Sequence, residues 1–360
     1  MRRVSLRLYV GSVACDVVLE DAKKFGYGLC GFAFSEDCRD ATGLVIRGQQ
    51  LNAGYFWTEG DMLYQGGEFT DAAKFSCFKI NDEDGSLDFV NSLDVDGSGL
   101  CMINGTGQTL LGAEFWTGNL LSCRLNDDGS IGELKTFIHH EGSSVVLPRQ
   151  ECAHVHSVYP TPDGRFAVAC DLGMDKLVIY KINKDSTLTP NENCEFVKVP
   201  AGIGPRHFAF HPNRKFGYLI TEMTDEILTF RFDEEKGSFT LIDQRSGLPE
   251  DFSGETMAAE IKTSADGRFL YTTHRKCNII SVFGLDPETG IPERIAGFDS
   301  FGAGPRSFAI SPDGTKMAIA NRDGNNVAVC EVDPETGMLG ELLWKAVVME
   351  PCTVVWREVH

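Results

Sequence analysis

Apolar and polar residues alternate with period two through most of the chain, in short runs separated by Gly, Asp, Asn and Pro. Such alternation marks strands with one face on a core, not amphipathic helices. Four stretches superimpose: HSVYPTPDGRFAVACDLGMDKLVIYKI from His156, RHFAFHPNRKFGYLITEMTDEILTFRF from Arg206, AEIKTSADGRFLYTTHRKCNIISVFGL from Ala259 and RSFAISPDGTKMAIANRDGNNVAVCEV from Arg306. Fainter copies precede them at TEGDMLYQGGEF (58–69) and GTGQTLLGAEFWTGNLLSCRL (105–125). In each copy an alternating run leads to a turn such as Pro-Asp-Gly or Pro-Asn-Arg. A second apolar run, a loop and a third run follow. A fourth strand fits the more polar stretch beyond, as in FVKVPAG or ERIAGFD.

Four antiparallel strands in a unit of roughly 50 residues is the grammar of a propeller blade. Six copies are visible, and the length leaves room for seven. The terminal PCTVVWREV resembles the opening strand of a blade without its remainder, and the N-terminal LRLYVGSVACDVVLE resembles later strands without a beginning. Pairing the two would close the ring and remove its open edges. The expectation is an all-β, seven-bladed β-propeller forming a single domain over residues 1–360. A pair of β-sandwiches would not carry one repeat along the whole chain.

Composition narrows the partners. A formal net charge of -19 argues against a nucleic-acid binder or a polybasic membrane surface, so an anionic ligand would need local positive groups. No apolar run nears the ~18 residues of a membrane span. The opening MRRVSLRLYVGSVACDVV is broken by Arg7, Gly11 and Asp16 and reads poorly as a signal peptide, which makes the cytoplasm the expected compartment. The twelve Cys form no CxxC pair, so zinc-ribbon and thioredoxin-type signatures are missing and most read as small buried hydrophobes.

The repeat allows one copy to be compared with the next. The copies register on Asp163, Asn213, Asp266 and Asp313. Seven positions earlier stand His156, Arg206, Ala259 and Arg306; nine positions later stand Leu172, Glu222, Arg275 and Arg322. In the two fainter copies the later position holds Glu68 and Phe115. Both positions belong to one end of a hairpin, and a propeller's first strand lines the central channel. His156, Arg206, Glu222, Arg275 and Arg306 are therefore expected to converge at the channel mouth. Taken singly, each has an ordinary reading. Charged loop residues are common, Gly-Pro before Arg206 and Arg306 could merely turn the chain, and His154 and His156 could be structural. The HVH pair places two imidazoles on one strand face but lacks a third ligand spacing, so no metal or other cofactor is expected.

At these residues the sequence resembles the seven-bladed propeller lactonases, a family that includes bacterial propeller-type 6-phosphogluconolactonase and fungal 3-carboxy-cis,cis-muconate lactonizing enzyme. The resemblance rests on AHVHSVYPTPDGRF with DLGMDK, GPRHFAFHPN with Glu222, ADGRFLYTTHR and GPRSFAISPDG. The N-terminal third fits more loosely: Gly67-Glu68 stands where the family often has Asn-Glu, and EFWTGN (114–119) replaces an Asn-Tyr-Gly-Gly run. The resemblance implies catalytic roles for His156, Arg206, Glu222 and Arg275. We add His154, Arg306, Glu68 and Asp171 as expected substrate contacts. The implied substrate is a small anionic lactone, most simply 6-phosphogluconolactone, in a monomer or weak homodimer. His156 or Glu222 would serve as acid or base, and the arginines would hold the oxyanion and a phosphate or carboxylate. No nucleophilic Ser elbow is evident. Two alternatives stay open: a lactone-forming carboxymuconate cycloisomerase, and a propeller that only binds.

Overall fold

A computed structural model describes residues 5–14 and 28–359. Cys15, Asp16 and the first four residues, which enter the signal-peptide and strand readings, lie outside the described residues.

The turns fold as their residues dictate. Asp163 Oδ1 accepts from the Thr161 hydroxyl (2.6 Å) and the Arg165 amide (3.1 Å), while Gly164 takes φ +71°. In the fourth copy Arg214 stands where the others have Gly and is held at φ +63°, a conformation that costs a non-Gly residue about 1 kcal/mol. Between these turns the alternating runs become strands, and the described residues contain strands and turns but no helix.

Seven sheets follow one another around a ring. Their inner strands are Ala53–Glu59, Leu100–Thr106, Val155–Pro160, Pro205–Phe210, Ala258–Thr263, Pro305–Ile310 and Pro351–Val359. Neighbouring inner strands pack side by side. Two sheets depart from four simple strands. In the third, the expected outer strand FVKVPAG contributes only Phe196–Lys198, and Leu188–Pro190 supplies the other half of that edge. In the first, Ile46–Arg47 adds a short parallel edge to Leu87–Val95.

The ring closes between chain ends, as the sequence predicts. Ser5–Ser12 pairs along Pro351–Val359, with Ser5 opposite Val359 and Ser12 opposite Pro351. Leu29–Phe34 and Ala41–Gly43 complete that seventh blade. Buried apolar residues form a cluster at each of the seven blade interfaces, the closing ones included. Cys77 and Cys123 lie in one such cluster, and Cys38, Cys101, Cys170 and Cys330 lie in others, which is the small-hydrophobe role read from the sequence. Among the described residues no helix is long and apolar enough to cross a membrane.

Candidate active site

Every inner strand carries an irregularity at the same place. Val155 faces Asp171 and Ser157 faces Cys170, so His156 is an extra residue; Arg206, Arg306, Cys101, Gly54 and Cys352 stand in equivalent breaks. In the fifth blade the break spans Ala259 and Glu260. A β-bulge frees one side chain from the strict alternation and re-aims it, and here it does so seven times around one channel mouth.

A second ring lies beside the first. The amides of Glu68, Phe115, Leu172, Glu222, Arg275, Arg322 and Val13 each donate to the carbonyl two residues before the bulge of their own blade, at 2.8–3.2 Å. The repeat positions compared in the sequence are thus equivalent in space, and Val13 supplies the seventh member.

Across the two rings, Glu222 is the hub. Its Oε2 accepts from Arg206 Nε (3.0 Å) and Arg275 Nη2 (2.9 Å) and lies 3.7 Å from His156 Nε2. Its Oε1 accepts from Nε (3.0 Å) and Nη2 of Arg149. Arg206 also donates to the carbonyl of Ala259, tying the fourth blade to the fifth, and Arg275 donates to that of Ala258 within its own blade. Arg306 reaches both oxygens of Glu68 (3.3 and 3.4 Å) from the sixth blade to the first, passing over the seventh. The mouth therefore gathers His156, Arg206, Glu222 and Arg275 in one cluster, with the Arg306–Glu68 pair as a second group.

Burial and charge set the protonation states. Burial alone would raise the Glu222 pKa, but Arg275, Arg149 and Arg206 outweigh it and hold the carboxyl well below its usual value. His156 is pushed well below 6.5, by burial first and by Arg206 next, so it is a neutral imidazole at neutral pH. Burial also lowers Arg275 to about 10, against the pull of Glu222. Arg275 Nε and His156 Nδ1 are buried with no protein partner.

His154 and Asp171 do not join this cluster. His154 Nδ1 donates to the Phe115 carbonyl (2.8 Å) and its ring stacks flat on Phe115. Asp171 is fully buried; its Oδ1 accepts from the amides of His154 (3.0 Å) and Met174 (3.1 Å), and its Oδ2 meets His140 Nδ1 at 2.7 Å.

A polar tier closes the channel one residue below. His207 Nδ1 donates to Glu260 Oε1 (2.8 Å), and Glu260 Oε2 accepts from Tyr55 (3.0 Å) and Ser307 (3.0 Å). Tyr55 comes from the first blade and Glu260 from the fifth, so the contact spans the channel. His207 is lowered to about 4 by burial; Glu260, despite burial, is held at about 2 by His207 and Lys262.

Two contributors escaped the sequence reading. Glu260 follows Ala259 as His207 follows Arg206 and Ser307 follows Arg306, so the repeat did carry its signal. Arg149 lies in the 140–153 connection outside any repeat, where a comparison between copies has nothing to register.

Fold and mouth together define a ring-closed seven-bladed propeller with three guanidinium groups gathered on one buried carboxylate at one end of its channel. The chain belongs to the family described as lactonase, 7-bladed beta-propeller, whose sequence profile matches residues 28–356. It is similar to a 6-phosphogluconolactonase of Bacillus subtilis, 31% identical over 79% of this chain and 80% of that protein. A 6-phosphogluconolactonase of Formosa agariphila is 29% identical over 91% and 94%. Among solved structures, the periplasmic gluconolactonase of Pseudomonas aeruginosa superposes with a TM-score of 0.89 at 25% identity, covering 99% of this chain and 100% of that one.

Proposed function

We propose that this chain is a carboxylic ester hydrolase that opens 6-phosphogluconolactone to 6-phosphogluconate by direct attack of water at the channel mouth. The observation that carries the reading is the pairing of a neutral buried His156 with a Glu222 held ionised by three guanidinium groups. Both Glu222 oxygens are taken up by guanidinium groups, whereas His156 Nδ1 has no protein partner, so His156 is the base. It takes a proton from water as the oxygen attacks the lactone carbonyl. Arg275, which keeps one donor without a protein partner, stabilises the oxyanion. When the ring C–O bond breaks, protonated His156 returns the proton to the leaving alkoxide. Glu222 fixes Arg206 and Arg275 and balances the imidazolium formed in between.

The 6-phosphogluconolactonase and gluconolactonase relatives support hydrolysis over lactone formation from a carboxymuconate. A propeller that only binds would have no use for an imidazole beside a buried carboxylate. The eleven described cysteines are all free thiols, which supports a cytoplasmic setting. The test is hydrolysis of 6-phosphogluconolactone above its spontaneous rate, run beside a carboxymuconate assay. Turnover of the second substrate alone would reverse the assignment.

A further inference from the structure

Arg149 is the member of the cluster that the propeller repeat does not explain. The connection 140–153 that carries it is firmly fixed. Gln150, fully buried, donates from Nε2 to the Leu172 carbonyl (2.9 Å) and accepts from the Val146 amide (3.1 Å). Ser144 donates to Asp175 (2.5 Å), and the Gln150 and Glu151 amides close the turn onto Val146 and Pro148. This backbone holds the Arg149 side chain over the mouth, with its guanidinium 4.7 Å from the Phe115 ring centroid.

Exposure separates the three arginines of the hub. The Arg206 side chain is 2% exposed, Arg275 15% and Arg149 38%. Arg149 alone contacts Glu222 Oε1, whereas Arg206 and Arg275 share Oε2. Glu222 thus keeps two cationic partners if Arg149 turns away. Three guanidinium groups face one carboxylate, which leaves two positive charges in excess, while Arg306 and Glu68 pair with each other. A phosphate monoester carries about -1.5 to -2 at neutral pH and fits that excess, whereas an uncharged lactone does not. Arg also offers a planar fork suited to two phosphate oxygens.

We infer that Arg149 is the phosphate-selecting residue of this site, an outer guanidinium that exchanges Glu222 Oε1 for the phosphate of the incoming substrate. The Phe115 ring, with its centroid 4.7 Å from the guanidinium carbon, supports that side chain by a cation–π contact. Selectivity for a phosphorylated over an unphosphorylated lactone then resides in a side chain outside the catalytic ring. The inference rests on the lactonase reading for its substrate class.

The experiment compares Arg149→Met and Arg149→Lys with the wild type. Calorimetric binding of 6-phosphogluconate and of gluconate is measured beside kcat/KM on 6-phosphogluconolactone and gluconolactone. The wild type is expected to prefer the phosphorylated member of each pair. Arg149→Met should reduce that preference by about 10- to 100-fold, the size of one lost charge-assisted contact. Arg149→Lys should recover part of it. An unchanged preference, or an equal loss for both members of each pair, overturns the inference. If 6-phosphogluconate binding depends on Arg149 while no lactone is turned over, the anion site stands and the lactonase reading falls.

Discussion

Arg206 Nε and Glu222 Oε2 lie 3.0 Å apart, with both side chains almost wholly removed from solvent. They sit at the two ends of one hairpin, Pro205–Phe210 and Phe216–Thr221, the first displaced by a bulge and the second just past its strand. The sequence read them as neighbours from the repeat alone, and the fold makes them the centre of the mouth.

That pair is asymmetric, which gives a stability prediction. Glu222→Gln leaves Arg149, Arg206 and Arg275 crowded with no counter-charge and should cost about 3 kcal/mol, in the range for breaking a buried ion pair. Arg206→Met leaves Glu222 with two cationic partners and should cost less. Urea midpoints of the two variants read the difference. Equal midpoints would mean that Glu222 is not the hub.

The rate should follow the protonation of His156. Its pKa is pushed well below 6.5 by burial and by Arg206, so the active neutral form persists on lowering the pH through that value. We expect kcat/KM to stay level through pH 6.5 and to fall only in more acidic solution. His156→Gln should lower the rate about 10²–10⁴-fold and abolish the acid limb. An acid limb centred above 6.5 would contradict the assignment.

Glu114 gives an opposite dependence in stability. It is buried in the second blade, with Oε2 accepting from Thr117 (2.6 Å) and Asn119 (2.6 Å), and burial raises its pKa from 4.5 to about 7. The neutral form favours the fold, so its contribution is complete below pH 4.5 and is lost as the pH rises toward 7. Glu114→Gln should remove this loss, on the order of 2 kcal/mol between pH 5 and 8. Parallel pH profiles of melting temperature for the two proteins would refute it.

Closure of the ring is testable at Trp356. Its Nε1 donates to the Ala309 carbonyl (3.0 Å), and its ring packs between the sixth and seventh blades. Trp356→Ala should cost about 3–5 kcal/mol, as for other large buried aromatics. A melting temperature near that of the wild type would show that the closing blade contributes little.

Most of the fold was legible because one grammar repeats. Turn residues such as Asp163 and Gly164, the alternating runs and the half-blades at each chain end all pointed to the same ring. The third-blade edge differed because FVKVPAG pairs over only Phe196–Lys198 before the chain leaves the sheet. His156, Arg206, Glu222 and Arg275 were legible because they break the repeat's apolar pattern at fixed positions. The bulges were not, since an extra residue in a strand changes register without changing composition. His154 and Asp171 were expected as substrate contacts, but His154 Nδ1 is held by the Phe115 carbonyl and both Asp171 oxygens are engaged by His154, Met174 and His140. Arg149 was hidden because its connection belongs to no repeat.

Hydrolysis of a lactone by the mouth cluster stands or falls on one rate measurement. That measurement is the rate of 6-phosphogluconolactone opening in excess of the spontaneous reaction, for the wild type, His156→Ala and Arg206→Ala. We predict a clear enzymatic excess that both substitutions reduce at least 10²-fold, the scale of losing a general base or an electrostatic contact at the reacting group. An excess rate untouched by either substitution would contradict the claim.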